Sequence, residues 1–106
     1  MSYLDGGPAR NGTIQTLAYT VASSSSSSAF GAQTYAVKLI ATSACVYKIG
    51  NGSQTAVDDN TGVFLPASWV EIVQVTPGQS IAGIRKASNG LITATDGTLW
   101  VVELTN

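Results

Sequence analysis

The chain has no histidine, one cysteine and few charges, since only 10% of its 106 residues are Asp, Glu, Lys or Arg. Without histidine, and with six scattered carboxylates, a general acid-base pair is hard to assemble. We therefore expect no enzyme activity and no cofactor. The single cysteine, Cys45, excludes an intramolecular disulfide and a structural zinc site built from several thiolates. Because it lies among strand-forming residues, we expect Cys45 to be a small buried hydrophobe.

The charge balance and the hydrophobic runs exclude further classes of partner. Five basic and six acidic residues give a formal net charge of −1, which does not supply the basic stripe that nucleic-acid binding needs. No run approaches the roughly 18 apolar residues of a membrane span, and the start, MSYLDGGPARNG, has no apolar leader core. We expect the chain to stay in the cytoplasm where it is made. The adjacent oxygens at 58–60 lack the spacing of a calcium loop, so no metal site is predicted.

Strand signals cover most of the chain, and helix signals are nearly absent. Turn residues such as Asn51-Gly52 and Pro77-Gly78 separate the runs, and Asp96-Gly97 predicts a hairpin. The pattern predicts an all-β fold, an antiparallel β-sandwich or jelly roll of about eight short strands. These strands are predicted at 13–21, 33–42, 44–50, 62–65, 69–76, 79–87, 91–95 and 98–104.

Several of these strands carry apolar residues on both faces. A solvated sheet would be apolar on one face only, so the pattern indicates a second contact surface and favours an oligomer. For the core, the more apolar face of each strand predicts that Val37, Leu39, Trp100 and Val102 are buried together.

Six consecutive serines, residues 23–28, interrupt the strand pattern early in the chain. Serines bury no apolar area, so a flexible connection is one interpretation. The organisation predicted from it is an N-terminal arm with the first strand and a serine-rich linker at 1–32, followed by a sandwich core at 33–106. In that case residues 1–22 contact another chain, and their deletion leaves a folded domain. The alternative is that the first strand pairs within its own sandwich.

A resemblance to a known family extends over residues 33 to 104. Its pieces are VKLIAT (37–42), VYKIG (46–50), Thr55-Ala56, Leu65-Pro66-Ala67, VTPGQSIAGI (75–84) and a closing GTLWVVEL. In this order they resemble the small β-sandwich proteins that tailed bacteriophages encode as virion components, among them capsid decoration or cement proteins. The serine run and Trp69 depart from that pattern.

The resemblance implies a structural protein of the virion that binds the outer surface of the phage head and stabilises it. Its expected partner is the major capsid protein, its expected assembly a homotrimer, and its expected place the capsid surface after synthesis in the host cytoplasm. A carbohydrate- or receptor-binding module of a phage fibre is the alternative, because aromatic residues can stack on sugars. The residues that would form such a platform are Tyr3, Tyr19, Tyr35, Tyr47 and Trp69. The residues predicted to form an interface are Ile14, Leu17, Tyr19, Phe30, Tyr47, Phe64 and Trp69.

Overall fold

The computed structural model describes residues 10–58, 62–87 and 93–105. These residues form seven β-strands and no helix, which confirms the all-β prediction. The strands are β1 (Arg10–Tyr19), β2 (Thr34–Ala41), β3 (Cys45–Asn51), β4 (Val63–Leu65), β5 (Val70–Gln74), β6 (Gln79–Arg85) and β7 (Gly97–Thr105).

The strands form two antiparallel sheets that pack as a β-sandwich. Sheet A has the order β1-β7-β2-β5, and sheet B has the order β4-β3-β6. The first strand, β1, therefore pairs with β7 of its own chain, which is the second of the two alternatives considered for it. Its side chains Leu17 and Tyr19 are part of the core. In this chain residues 10–19 are thus an edge strand of sheet A, and they share one core cluster with residues that follow the serine run.

The core lies between the sheets, where alternate residues of each strand face inward. The prediction that these four residues are buried together is confirmed for Val37 and Leu39, which are fully buried. Val102 is also buried, but it lies on the opposite face of sheet A from these two residues. The prediction is wrong for Trp100, whose side chain is 45% exposed. The inward residues of β7 are instead its neighbours Leu99 and Val101, both completely buried. The core cluster consists of Leu17, Tyr19, Phe30, Val37, Leu39, Ala41, Cys45, Tyr47, Leu65, Val75, Ile81, Leu99 and Val101.

The hairpin predicted at Asp96-Gly97 does not occur in the described residues. Residues 93–96 form no strand, and 91–92 lie outside the described residues. The physical reason is that β7 already pairs on both sides, with β1 along one edge and β2 along the other. A strand at 91–95 would have no open edge of β7 to join.

The serine run is bound along the edge of β6 instead of forming a flexible connection. Ser24 donates its N–H to the carbonyl of Gly83 (2.7 Å) and accepts the Gly83 N–H at its Oγ (3.0 Å). Ser27 repeats this exchange with Ile81, at 2.8 and 3.0 Å. Each of these serines thus satisfies one outward N–H and one outward C=O of β6. A hydroxyl replaces the carbonyl that a regular neighbouring strand would offer.

The serines that precede these two, Ser23 and Ser26, direct their hydroxyls away from β6. The Oγ atoms of Ser23 and Ser26 accept the N–H groups of Ala56 (2.9 Å) and Gln54 (3.0 Å). All four bonded hydroxyls also donate to the carbonyl of the following residue. From Ser24 to Ser27 the run advances three residues, while their partners Gly83 and Ile81 are two residues apart in β6. A strand rises about 3.3 Å per residue, so the serine run rises only about 2.2 Å per residue. We call residues 23–28 the serine ladder.

A buried hydrogen-bond cluster joins the end of β1 to the turn after β2. The Tyr19 hydroxyl donates to the carbonyl of Ser43 (2.6 Å) and accepts the Ser43 N–H (3.2 Å). Burial raises the pKa of Tyr19 above its ordinary value. Gly97 lies directly against this cluster, and a Cβ there would collide with Ser43 Oγ and lie 2.8 Å from the Tyr19 hydroxyl. The close approach explains the glycine at this position.

Candidate functional site

The outer face of sheet A carries apolar side chains in rows that cross all four strands. Side chains of directly paired residues share a face of a sheet, so the strand register identifies these rows. One row contains Ile14, Val102, Lys38 and Ile72, and the next contains Thr16, Trp100, Ile40 and Val70. We define the outer face of sheet A by these eight residues.

Much of this surface is open to solvent. Ile14, Val70, Ile72 and Trp100 are all among the exposed large hydrophobic residues, at 44 to 56% exposure. The opposite surface of the sandwich differs, because Ala56 is buried and Gly62 lies against Val46 on the outside of sheet B. Ala56 and Gly62 thus cover part of the outside of sheet B, around Val46, while Phe64 on the same side stays exposed. Sheet A keeps four large apolar side chains exposed on its outer face.

Lys38 is the one charged residue among the eight that define this face. The register places it between Val102 and Ile72. The nearest carboxylates in register, Glu71 and Glu103, belong to the inward-facing positions of their strands. Glu103 is buried and accepts hydrogen bonds from the Gly31 N–H (2.9 Å) and the Thr34 hydroxyl (2.6 Å). The outer face is therefore apolar with a single positive charge.

The Cys45 thiol and the Tyr47 hydroxyl lie inside the sandwich instead of on the outer face of sheet A. Burial raises the pKa of the Cys45 thiol to about 11, so Cys45 is a neutral thiol at physiological pH. Burial, followed by the negative charge of Glu71, raises the pKa of Tyr47 to about 12. The burial of Cys45 confirms that it is a core residue, the interpretation that its sequence context favours.

The predicted interface residues separate into two groups. Four of them are buried core residues and offer no surface to another chain: Leu17, Tyr19, Phe30 and Tyr47. Leu17, Tyr19 and Tyr47 point between the sheets because alternation along their strands directs them inward. Phe30 lies outside the strands and belongs to the same core cluster. Ile14, Phe64 and Trp69 are exposed, but only Ile14 belongs to the outer face of sheet A.

Trp100, Val70 and Ile72 were missed as surface residues. The signal was present, because their strands are apolar on both faces. Alternation alone does not tell which of two apolar faces points inward.

A shallow cavity of about 410 Å³ lies at one end of the sandwich, beside Phe64, Pro66 and Thr95. Its size is within the range of small-molecule sites. Two of its hydroxyls are already used internally, since Ser43 Oγ donates to the Thr95 carbonyl and Thr42 Oγ1 accepts the Thr98 N–H. The cavity thus offers a ligand few unused polar groups.

No group of three or more potential metal ligands occurs within 10–58, 62–87 and 93–105. Asp58, from the loop considered for calcium, accepts hydrogen bonds from Lys86 Nζ (2.9 Å) and the Ala87 N–H (2.8 Å), while 59–60 lie outside the described residues. In the same part of the chain no helix is long and apolar enough to cross a membrane.

Comparison with known proteins finds no matching family model, and no curated protein or solved structure matches the chain.

Proposed function

We propose that the chain is a non-enzymatic structural protein of a phage virion, of the capsid decoration or cement type. It binds the outer surface of the head through the outer face of sheet A and thereby stabilises the shell. The observation that carries this proposal is the exposed apolar face around Trp100, where Ile14, Val70 and Ile72 are exposed on the same outer face of sheet A. Exposed apolar patches of this kind mark interaction surfaces in soluble proteins.

The size of the face agrees with the centre of a protein interface. Four strands about 4.8 Å apart, with about five residues of about 3.4 Å along each, give a flat area on the order of 300 Å². A standard interface buries about 800 Å² on each partner and has an apolar centre with a polar rim. The outer face of sheet A therefore supplies the centre, and flanking residues supply the rim.

The resemblance supports the choice of partner. It implies the major capsid protein as the surface bound, the capsid exterior as the location, and the host cytoplasm as the place of synthesis. The homotrimer rests on the resemblance alone, whereas binding to a protein surface is also supported by the exposed face.

The test is cosedimentation of the purified chain with undecorated heads of tailed phages. Trp100→Ser removes the largest side chain of the outer face, and Phe64→Ser is the matched control, because Phe64 is an aromatic residue of almost equal exposure on sheet B. Since a central Trp typically contributes 2 kcal/mol or more, we expect Trp100→Ser to weaken binding by about 30-fold or more. Phe64→Ser should bind like the wild type. Equal binding of both variants, with unchanged circular dichroism, contradicts the proposed surface, and no binding to any heads contradicts the function.

A carbohydrate-binding module is the second candidate, and the exposure of Trp69 favours it. At 60% exposed, Trp69 is more accessible than Trp100 and has room for a sugar ring to stack on its indole. Retardation of the wild-type chain on an immobilised polysaccharide, lost on Trp69→Ala and retained on Trp100→Ser, would support this function over capsid binding.

A further inference from the structure

Within the residues that the structure describes, the outer edge of β5 presents main-chain groups that no neighbouring strand pairs, in a defined pattern. The N–H of Val75 donates to the carbonyl of Tyr35 (2.9 Å), in the same register as the β2–β5 ladder. Residues of an antiparallel strand bond alternately to the two sides, so Val73 and Glu71 also direct their main-chain groups toward β2. Val70, Ile72 and Gln74 therefore direct their N–H and C=O groups away from β2.

No described strand pairs with this side of β5, which ends sheet A. The strand contains neither proline nor lysine, two of the residues that protect exposed edges from pairing. Its outer side chains are apolar at the two positions, Val70 and Ile72, that continue the rows of the outer face of sheet A.

The sequence of this edge, VEIVQ, fits a second copy of itself in antiparallel orientation. With Ile72 opposite Ile72 of the second copy, Val70 lies opposite Gln74, and Glu71 lies opposite Val73. The residues that meet as hydrogen-bonded pairs are those whose main-chain groups point outward. Each such pair exchanges two hydrogen bonds, so three pairs give six.

The charges are compatible with this register. The two Glu71 side chains are not opposite each other. Lys38 lies on the strand next to β5, so the two Lys38 residues are three strand spacings, or about 14 Å, apart. That exceeds the Debye length of about 8 Å at physiological ionic strength.

We infer that two copies of the chain pair through their β5 edges about a two-fold axis at Ile72, which joins the two copies of sheet A into one eight-stranded sheet. The outer faces then form one continuous apolar surface of roughly twice the area, on the order of 600 Å². This pairing stands on the geometry of the edge and not on capsid binding. It differs from the homotrimer that the resemblance implies.

Cross-linking through position 72 tests the register. Ile72→Cys places two thiols opposite each other at the two-fold axis, and a short bis-maleimide should link most of the chain into a dimer. The native Cys45 does not compete, because it is buried and its pKa is raised to about 11. Ile14→Cys is the matched control. Ile14 is also exposed on the outer face, but the two copies of β1 lie seven strand spacings, or about 34 Å, apart.

Charge at the axis tests the same contact without a cross-linker. The wild type should show a mass near twice 10.9 kDa in light scattering, and Ile72→Lys and Ile72→Glu should each be monomeric because like charges then meet. Mixing the two variants should restore the dimer, which shows that both are folded. A wild-type monomer at every concentration, a trimer in which Ile72→Cys does not link, or variants that remain dimeric would each overturn the inference.

Discussion

The serine ladder predicts a stability loss that a flexible connection would not produce. Ser24 Oγ and Ser27 Oγ are the acceptors for the buried N–H groups of Gly83 and Ile81. Replacing either serine by alanine leaves one of these N–H groups without its partner inside the protein. A buried unsatisfied donor costs about 1 to 3 kcal/mol. A domain has a total free energy of unfolding of about 5 to 15 kcal/mol, so this loss is easily measured.

The control lies within the same run. Ser25 is exposed and belongs to the third position of the serine repeat, which faces solvent. We expect Ser25→Ala to change the free energy of unfolding by less than about 0.5 kcal/mol. The double variant Ser24→Ala/Ser27→Ala should lose roughly 2 to 6 kcal/mol, the sum of the two single losses.

The assay is urea denaturation followed by tryptophan fluorescence, with amide hydrogen exchange at Ile81 and Gly83 as the local measurement. We expect Ser27→Ala to accelerate exchange at Ile81, and Ser24→Ala to accelerate exchange at Gly83. If Ser24→Ala, Ser27→Ala and the double variant all have the stability of the wild type, the serine run is a flexible connection and the ladder is wrong.

Three further predictions follow from the core and its hydrogen bonds. Gly97→Ala should lower the free energy of unfolding by about 1 to 3 kcal/mol, because the new methyl displaces the Ser43 and Tyr19 hydroxyls; thermal melting measures the loss, and an unchanged melting temperature contradicts it. Deleting residues 1–22 should leave an unfolded chain, since it removes Tyr19 from the core, and a cooperative unfolding transition in the truncated chain would restore the arm interpretation. Because folding raises the pKa of Cys45 from 9.0 to about 11, its contribution to stability is complete below pH 9 and is lost as the pH rises to about 11. Urea midpoints measured across that range should fall less steeply in Cys45→Ala, and identical slopes would show that Cys45 does not titrate there.

The fold class was predictable because strand alternation and turn residues are local properties. The choice of inward face was not, as β7 shows. Leu99 and Val101 alternate with Trp100 and Val102, and both sets are apolar. What decides between them is the position of sheet B, which lies on one side only, and that depends on contacts far apart in the chain.

The serine run shows the same difficulty in another form. Serines carry no apolar signal, so the run gives no local sign of being packed. Its order depends on the outward N–H and C=O groups of Gly83 and Ile81, some sixty residues further along the chain. The apolar surface, in contrast, was predictable as a property: strands apolar on both faces predicted a second contact surface, although Trp100 was placed in the core.

Hydroxyl-radical footprinting of the chain bound to phage heads tests the central claim most directly. It compares the oxidation of Trp100, on the outer face of sheet A, with that of Phe64, which is almost equally exposed on sheet B. The account predicts that Trp100 is protected on the heads while Phe64 is oxidised as in the free chain. Protection of Phe64 with continued oxidation of Trp100 would contradict it.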